Sequence, residues 1–319
     1  MNNVTAVCPG SFDPVTVGHL DIITRAAGMF SKVIVLVSTN VNKSPVFSTE
    51  ERISMLKAAT VNLDNVVIGA IQGASWVAIY SMGLLIFGMF EQLSTSLSSV
   101  MLPTVTNILK TDHDGTEVQK TVVKIGRIQF MLLGAALAGF IVLGKDLINL
   151  WLGKGYDDVY IITLILMAPA LLELCVNVCL AVLRAKNMLG FRTGVLLGVT
   201  VLNAIVTLVG VKYFGYFAAA VGTALSFLIG SVVIMNIYYY KKLSFKMLKI
   251  YRQIFSGTWI CLLLSTGAII ISSRFINNGW FGFIINVGIF CIVYAVTLLL
   301  FGMKKEEKSQ IPFINKLKH

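Results

Sequence analysis

The chain has 319 residues, 56% of them hydrophobic and 13% charged, with a mean hydropathy of +0.83. Soluble domains carry roughly a quarter of their residues as charges, so this composition excludes a wholly water-soluble protein and puts most of the chain in a bilayer. The formal net charge is +11, but residues 1–75 are neutral, with Arg25, Lys32, Lys43, Arg52 and Lys57 against Asp13, Asp21, Glu50, Glu51 and Asp64. The excess lies in short connections and the tail of the apolar part, where a positive-inside bias places it, and nucleic acid is not the expected partner.

In chain order, residues 4–8 and 33–38 are short β-branched runs expected as strands. Between them, Leu20, Ile23, Ala27 and Phe30 have helical apolar spacing, so the segment reads as a βαβ unit. Ser48 and Glu51 have the spacing of a capping box opening a second helix through Ile53, Leu56 and Ala59, and residues 65–68 begin a third strand. The pattern predicts the start of a doubly wound parallel sheet. No basic n-region followed by an apolar h-region opens the chain, so no signal peptide is expected.

Near Gly69 the pattern changes. Long apolar runs follow, each comparable with the roughly 20 residues that cross a bilayer as helix. Seven spans are expected, at 76–105, 128–151, 160–182, 193–214, 217–239, 254–273 and 280–302. The connections after the first, third and fifth spans, together with the tail, hold seventeen Lys and Arg residues. The opposite side holds four, namely Lys145, Lys154, Lys212 and Arg274. The predicted C-terminus is therefore cytoplasmic and residues 1–75 fall on the outer side, an odd location for a soluble segment without an export signal.

Within the spans, small residues such as Gly134, Ala135, Ala138, Ala219 and Gly222 allow close helix approach. Glu91 and Glu173 are the two ionisable groups to watch at membrane depth. A carboxylate at mid-membrane costs about 2.5–3.5 kcal/mol on insertion scales, so each is expected to face a cavity or a partner: a substrate- or proton-linked role stands against a simple helix-to-helix hydrogen bond. Pro103 is expected to end the first span and Pro169 to kink the third. Asp146 beside Lys145 reads as an interfacial pair, and His113 between Asp112 and Asp114 as a solvated loop residue. Cys175 and Cys179 share a helix face without further ligands near them, no disulfide framework is visible, and no metal site is expected.

The turn after the first strand reads Pro9-Gly10-Ser11-Phe12-Asp13-Pro14-Val15-Thr16-Val17-Gly18-His19, with glycines that let backbone approach a phosphate and a histidine opening a helix whose N-terminal amides favour anions. The string resembles the nucleotidyltransferase T/HxGH signature, with Val17 at its first position. With NKSPVFSTEERISML it resembles the N-terminus of the bacterial phosphopantetheine adenylyltransferases over residues 3–68. The resemblance implies a partial Rossmann-like fold that uses ATP with Mg2+. His19 would be the catalytic histidine and an ATP contact, Phe12 an ATP contact, Ser11 a residue touching both substrates, and Lys43 a lysine on the substrate phosphate. Ser44 stands where a second lysine is frequent, and the later strands and ATP motif of that family are not found after residue 69. The segment is thus expected to be an inactive remnant, the alternative being a working adenylyltransferase joining ATP and 4′-phosphopantetheine.

The run AIYSMGLLIFGMFEQLSTSLSSVMLPTVTNIL and, further on, LGKDLINLWLGKGYDDVYIITLILMAPALLELCVNVCLAVLRAKN resemble the C-terminal half of a polysaccharide flippase of the multidrug/oligosaccharidyl-lipid/polysaccharide exporter superfamily, over about residues 70–305. That resemblance implies alternating-access export of a lipid-linked oligosaccharide across the cytoplasmic membrane, with the lipid bilayer as surroundings and a cavity between two related bundles of which this chain matches the later one. The expected architecture is therefore a mostly α, polytopic membrane helical bundle of about seven spans, preceded by a partial α/β nucleotidyltransferase fragment. Its divisions are 1–69, 70–305 and a basic tail, 306–319, and the whole reads as a chimera joined near residue 69.

Overall fold

The computed structural model describes residues 5–12, 19, 22–23, 26, 32–37, 68, 71, 74–112, 115–276 and 279–308. The chain divides into two compact units, Met1–Val67 and Ile68–His319.

In the first unit, β1 (Thr5–Gly10) and β2 (Lys32–Val37) pair in parallel, Thr5 opposite Lys32 and Gly10 opposite Val37. Parallel neighbours require a crossover, and the described residues between them, His19, Ile22, Ile23 and Ala26, are helical, as the apolar spacing predicts. Alternation along the strands sorts the two faces. Cys8, Val35 and Val37 pack against buried Phe12 and Ile23, while Val7, Ile34 and Leu36 point to the other face and stay exposed. Ile68 is helical, which corrects the third strand expected to run through it; residues 65–67, the helix expected from Ser48, and Lys43 lie outside the described residues.

The second unit is a helical bundle. Its elements are α1 (Ala74–Thr111), α2 (Thr116–Trp151), α3 (Asp157–Cys175), α4 (Val178–Ala185), α5 (Leu189–Phe214) and α6 (Phe217–Ser226). A π-helical stretch, Phe227–Ile234, continues α6 into α7 (Met235–Leu243). Then come α8 (Met247–Phe255), α9 (Thr258–Ser272), α10 (Gly279–Thr297) with a second π-helical turn at Leu298–Gly302, and the short α11 (Lys305–Lys308). Among the described residues, six helical segments are long and apolar enough to cross a membrane, and α8 with α9, bent by 43° at their break, bring the crossings to seven as the sixth in chain order. This is a multi-pass membrane protein, with the spans in the order that the apolar runs predict.

Three local expectations change. The first connection is not a long basic loop: α1 runs straight through Pro103 to Thr111 and α2 begins at Thr116, so Lys120, Lys124 and Arg127 are helical. Asp112 makes the tight turn workable, its Oδ2 accepting from the Val118 N–H at 2.7 Å and satisfying one of the free amides of the new helix. The third span, expected as one run over 160–182, is interrupted at Val176–Asn177, while Pro169 lies within helical α3. Lys145 pairs with Asp157 at 3.3 Å, not with its neighbour Asp146.

The helices approach closely where side chains are small. A Cβ on Gly126 would lie 2.7 Å from the Cys175 carbonyl oxygen and 2.5 Å from Ile254 Cδ1, so α2 crosses the C-terminal ends of α3 and α8 at a distance only glycine permits. The main core gathers around that crossing, with Ile125, Phe130, Cys175, Cys179, Val182, Tyr239, Ile250 and Ile254 buried together. Cys175 and Cys179 therefore serve as packed core residues.

Candidate functional site

A helix broken inside a bilayer exposes carbonyl groups that lipid cannot satisfy, and such a break persists only where neighbouring protein supplies donors. The end of α3 has that supply. The Ser94 hydroxyl of α1 donates to the Leu174 carbonyl at 3.2 Å, and the Tyr251 hydroxyl of α8 donates to that of Leu172 at 3.2 Å while accepting from Asn236 Nδ2 at 3.1 Å. Gln129 of α2, almost fully buried, turns its amide nitrogen to the carbonyls of Leu174 (3.0 Å) and Cys175 (3.2 Å), and its oxygen accepts from the Ser98 hydroxyl at 2.8 Å. Three surrounding helices thus hold the interruption open.

Beside this break lies a cavity of about 440 Å³, lined by Glu91 and Ser98 of α1, Glu173 and Asn177 at the break, Arg184 of α4, Arg192 of α5, and Phe227 and Ser231 of the π-helical stretch. Two irregularities of helix geometry face it, the break in the third span and the π segment of the fifth. Residues of both line its wall, and π segments recur at functional sites. Arg192 Nη2 donates to Glu173 Oε1 at 3.4 Å, both side chains being mostly shielded from solvent. Ser231 lines the same cavity. Glu91 stands close enough to Glu173 for the two carboxylates to repel. The cavity therefore presents two carboxylates and two guanidinium groups on an apolar wall, an arrangement suited to a polar or charged group passing between helices.

The structure thus brings together Glu91 and Glu173, which the sequence suggested separately, and moves them. Glu91 is near the Ser96 end of its span and Glu173 near the Cys175 end of its own, so they occupy one end of the bundle rather than its middle. Sequence reasoning missed Arg192, assigned to a loop but sitting in the first turn of α5. Its signal was a basic residue just inside an apolar run. Ser231, Gln129 and Ser94 carried no signal, because small polar residues in spans are common and their partners are distant in the chain.

In the first unit, the motif residues Phe12 and His19 meet edge to face, ring centroids 5.0 Å apart at 68°. Phe12 adopts a left-handed backbone, φ 48°, and its ring lies where a Cβ on Gly10 would be, 2.8 Å from the ring carbon. Gly10 is thus required for Phe12 to fold back over the end of β1, and Ser11 is left exposed at the turn. The geometry places Ser11, Phe12 and His19 at the C-terminal end of β1, the edge of a parallel sheet where ligands bind. Lys43, the fourth expected member, lies outside the described residues.

Comparison with known proteins divides the chain the same way. Residues 7–88 match the cytidylyltransferase-like family and residues 49–161 the polysaccharide biosynthesis protein family, the two matches overlapping over 49–88. The N-terminal part is similar to the phosphopantetheine adenylyltransferase of Symbiobacterium thermophilum, 57% identical over 70 residues that make up 22% of this chain and 43% of that protein. Those of Corynebacterium efficiens (60% over 62 residues, 19% of this chain and 39% of the relative) and Nocardioides sp. (53% over 68 residues, 21% and 43%) are similar too. The chain spans about two fifths of the length of these curated relatives. No solved structure matches. The chain is thus a polysaccharide-biosynthesis-like membrane domain preceded by a phosphopantetheine adenylyltransferase-like segment.

Proposed function

We propose that the membrane unit moves a lipid-linked oligosaccharide or polysaccharide across the cytoplasmic membrane by alternating access, with the C-terminus in the cytoplasm. The observation that carries this reading is the cavity at the broken third span, where Glu173 and Arg192 form an ion pair that a headgroup with hydroxyls and phosphates can open from either side. The match of residues 49–161 to a polysaccharide biosynthesis family supports the substrate class. The seventeen-to-four distribution of Lys and Arg supports the orientation. No role for nucleic acid follows from any residue named here.

We read residues 1–69 as an adenylyltransferase-like fragment without turnover, 70–305 as the carrier and 306–319 as a basic tail. Phosphopantetheine adenylyltransferase activity is the second reading, favoured by the 53–60% identity of the N-terminal part and by the juxtaposition of Phe12 and His19. In it, ATP and Mg2+ would bind at the β1 turn, with His19 donating to the transferring phosphoryl group.

The test is reconstitution of the full chain in vesicles holding a fluorescent lipid-linked oligosaccharide, with the outer leaflet quenched chemically. Faster loss of signal than in protein-free vesicles, slowed by Glu173→Gln, is the expected result. Wild-type protein that is folded and inserted but quenches no faster than bare vesicles overturns the flippase reading. Pyrophosphate release from ATP and 4′-phosphopantetheine by the same preparation would establish the second.

A further inference from the structure

A second polar region lies at the membrane end of the unit, on helices that do not line the cavity at the broken span. The helix α8 is amphipathic: Met247, Ile250 and Ile254 are buried on one side, and Leu248, Lys249 and Arg252 are exposed on the other. It follows directly on the lysine-rich end of the fifth span, Tyr240-Lys241-Lys242, and forms the outer limb of the bent sixth crossing. A short helix of this kind at the end of a span lies in the headgroup layer. Between α8 and the first turns of α2 runs a groove of about 480 Å³, lined by Lys120, Lys246 and Lys249 over a floor of Val123 and Ile250. Through Lys120, Val123 and Gln253 it continues into a second hollow of about 420 Å³ that adds Lys124 and Lys304.

The carboxylates bordering these hollows are already engaged, Glu117 by Lys120 at 2.7 Å and Glu307 by Arg127 at 2.6 Å. Among the described residues, no carboxylate lies within ion-pair distance of Lys124, Lys246 or Lys249. Lys246 and Lys249 line the groove and Lys124 lines the hollow that continues it, so three cations that no described carboxylate engages border one connected depression. The side of α8 turned away from the groove shows what surrounds the helix: Leu248 is 89% exposed. A leucine so bare is unfavourable against water but settled against acyl chains. A ligand that places negative oxygen on the lysines and hydrocarbon against Val123 and Ile250, within the same acyl surroundings, satisfies both features, and a phospholipid does so.

We propose that the groove between α2 and α8 is a binding site for the phosphate headgroup of an anionic phospholipid, held by Lys124, Lys246 and Lys249. The lipid would tie the bent sixth crossing to the second span. This inference rests on the membrane placement of the helices and is independent of the flippase reading.

The test measures thermal unfolding of the purified full chain in nanodiscs of phosphatidylcholine and of phosphatidylcholine with phosphatidylglycerol of the same acyl chains, and lipid retention by native mass spectrometry. Phosphatidylglycerol is expected to stabilise the wild type and to be retained in preference to phosphatidylcholine. Each lysine-to-glutamine change among the three is expected to weaken retention about fivefold, the scale of one basic residue near an anionic surface. The triple Lys→Arg variant is expected to keep it, and all variants to unfold like wild type in phosphatidylcholine alone, since the three side chains are exposed. Equal retention of the two lipids, or full retention by the triple glutamine variant, overturns the proposal. So does an equal shift on adding inorganic phosphate or glycerol phosphate in phosphatidylcholine, which would mark a site for soluble phosphate.

Discussion

Arg127 Nε donates to Glu307 Oε1 at 2.6 Å, joining residues 180 positions apart in the chain. The guanidinium is 2% exposed, and its other nitrogens reach the carbonyls of Gln253 (3.0 Å), Ser256 (2.8 Å) and Gly302 (3.0 Å). Those carbonyls are the free ends of α8 and of the last span, left without partners by the break at Gly257 and by the end of the π-helical turn. One arginine thus closes the broken sixth crossing, the last span and the following turn onto α2. Its planar fork of donors suits the task in a way a lysine ammonium does not.

Replacing Arg127 therefore leaves a shielded carboxylate without its cation and removes the donor to the Ser256 and Gly302 carbonyls, while the Gln253 carbonyl keeps the Ser256 hydroxyl. Arg127→Gln is expected to cost about 3–5 kcal/mol, the range for breaking one side of a buried ion pair. Arg127→Lys is expected to recover only part of it. Thermal unfolding followed by fluorescence-detected size exclusion measures both, and a wild-type profile for Arg127→Gln would rule the lock out.

The same contact gives a pH dependence with a definite sign. Burial pushes the Glu307 carboxyl up, but hydrogen bonds from Arg127 and from the Lys304 backbone N–H, with the positive charge of both residues, outweigh it and hold the group below its ordinary value. The folded state then binds fewer protons than the unfolded state around the unfolded value of about 4.3, so the contribution is complete above that pH. It is lost as pH falls from about 5 through the lower folded value. Melting temperatures recorded from neutral pH downward are expected to drop in that window, and Glu307→Gln is expected to flatten the drop while lowering the neutral value.

At the cavity, Glu173→Gln and Arg192→Gln are each expected to destabilise by roughly 1–3 kcal/mol, because each leaves a charged partner shielded from water. The double variant is expected to be less destabilised than the sum of the two. Glu91→Gln removes a repulsion and is expected to leave the melting temperature unchanged or raise it. A double-mutant cycle that closes additively would show that the 3.4 Å pair has no energetic coupling.

The glycine at the helix crossing offers a steric test. Gly126→Ala puts a methyl group 2.7 Å from backbone and 2.5 Å from Ile254 Cδ1, so α2 must move away from the end of α3. The expected cost is about 1–3 kcal/mol, typical of overpacking. Gly88→Ala, with open space around its Cβ position on α1, is the control expected to be neutral.

The junction near residue 69 is read as the seam of a chimera, and the overlap of the two family matches over 49–88 brackets it. Sequencing single DNA molecules across the codons for residues 65–75 is expected to show whether the seam exists in the genome. A continuous clone carrying it would exclude assembly of the sequence from two genes by error.

Much of the molecule was legible from the chain alone, and the reasons differ by feature. The spans could be read because bilayer thickness fixes the length of an apolar run, so counting locates them without knowing what they pack against. The βαβ start and the glycine turn could be read because strand and helix periods are local, as is the constraint that seats Phe12 over Gly10. Glu91 and Glu173 stood out because charge in an apolar run is costly anywhere.

What only the tertiary structure decided are the pairings: which cation answers Glu173, where the third span breaks, and what satisfies the carbonyls it frees. Pro169, the local signal for a kink, lies within helical α3, while the break at Val176–Asn177 has neither proline nor glycine to mark it. It survives because Ser94, Gln129 and Tyr251, drawn from three other helices, take up the carbonyl oxygens just before it. Arg127 likewise looked like a loop cation until folding surrounded it with the ends of three distant segments. In a bilayer every backbone polar group needs a partner from protein, and such partners lie far apart in the chain. Composition and period therefore fix where the helices are, and long-range hydrogen bonding fixes where they bend and which charges meet.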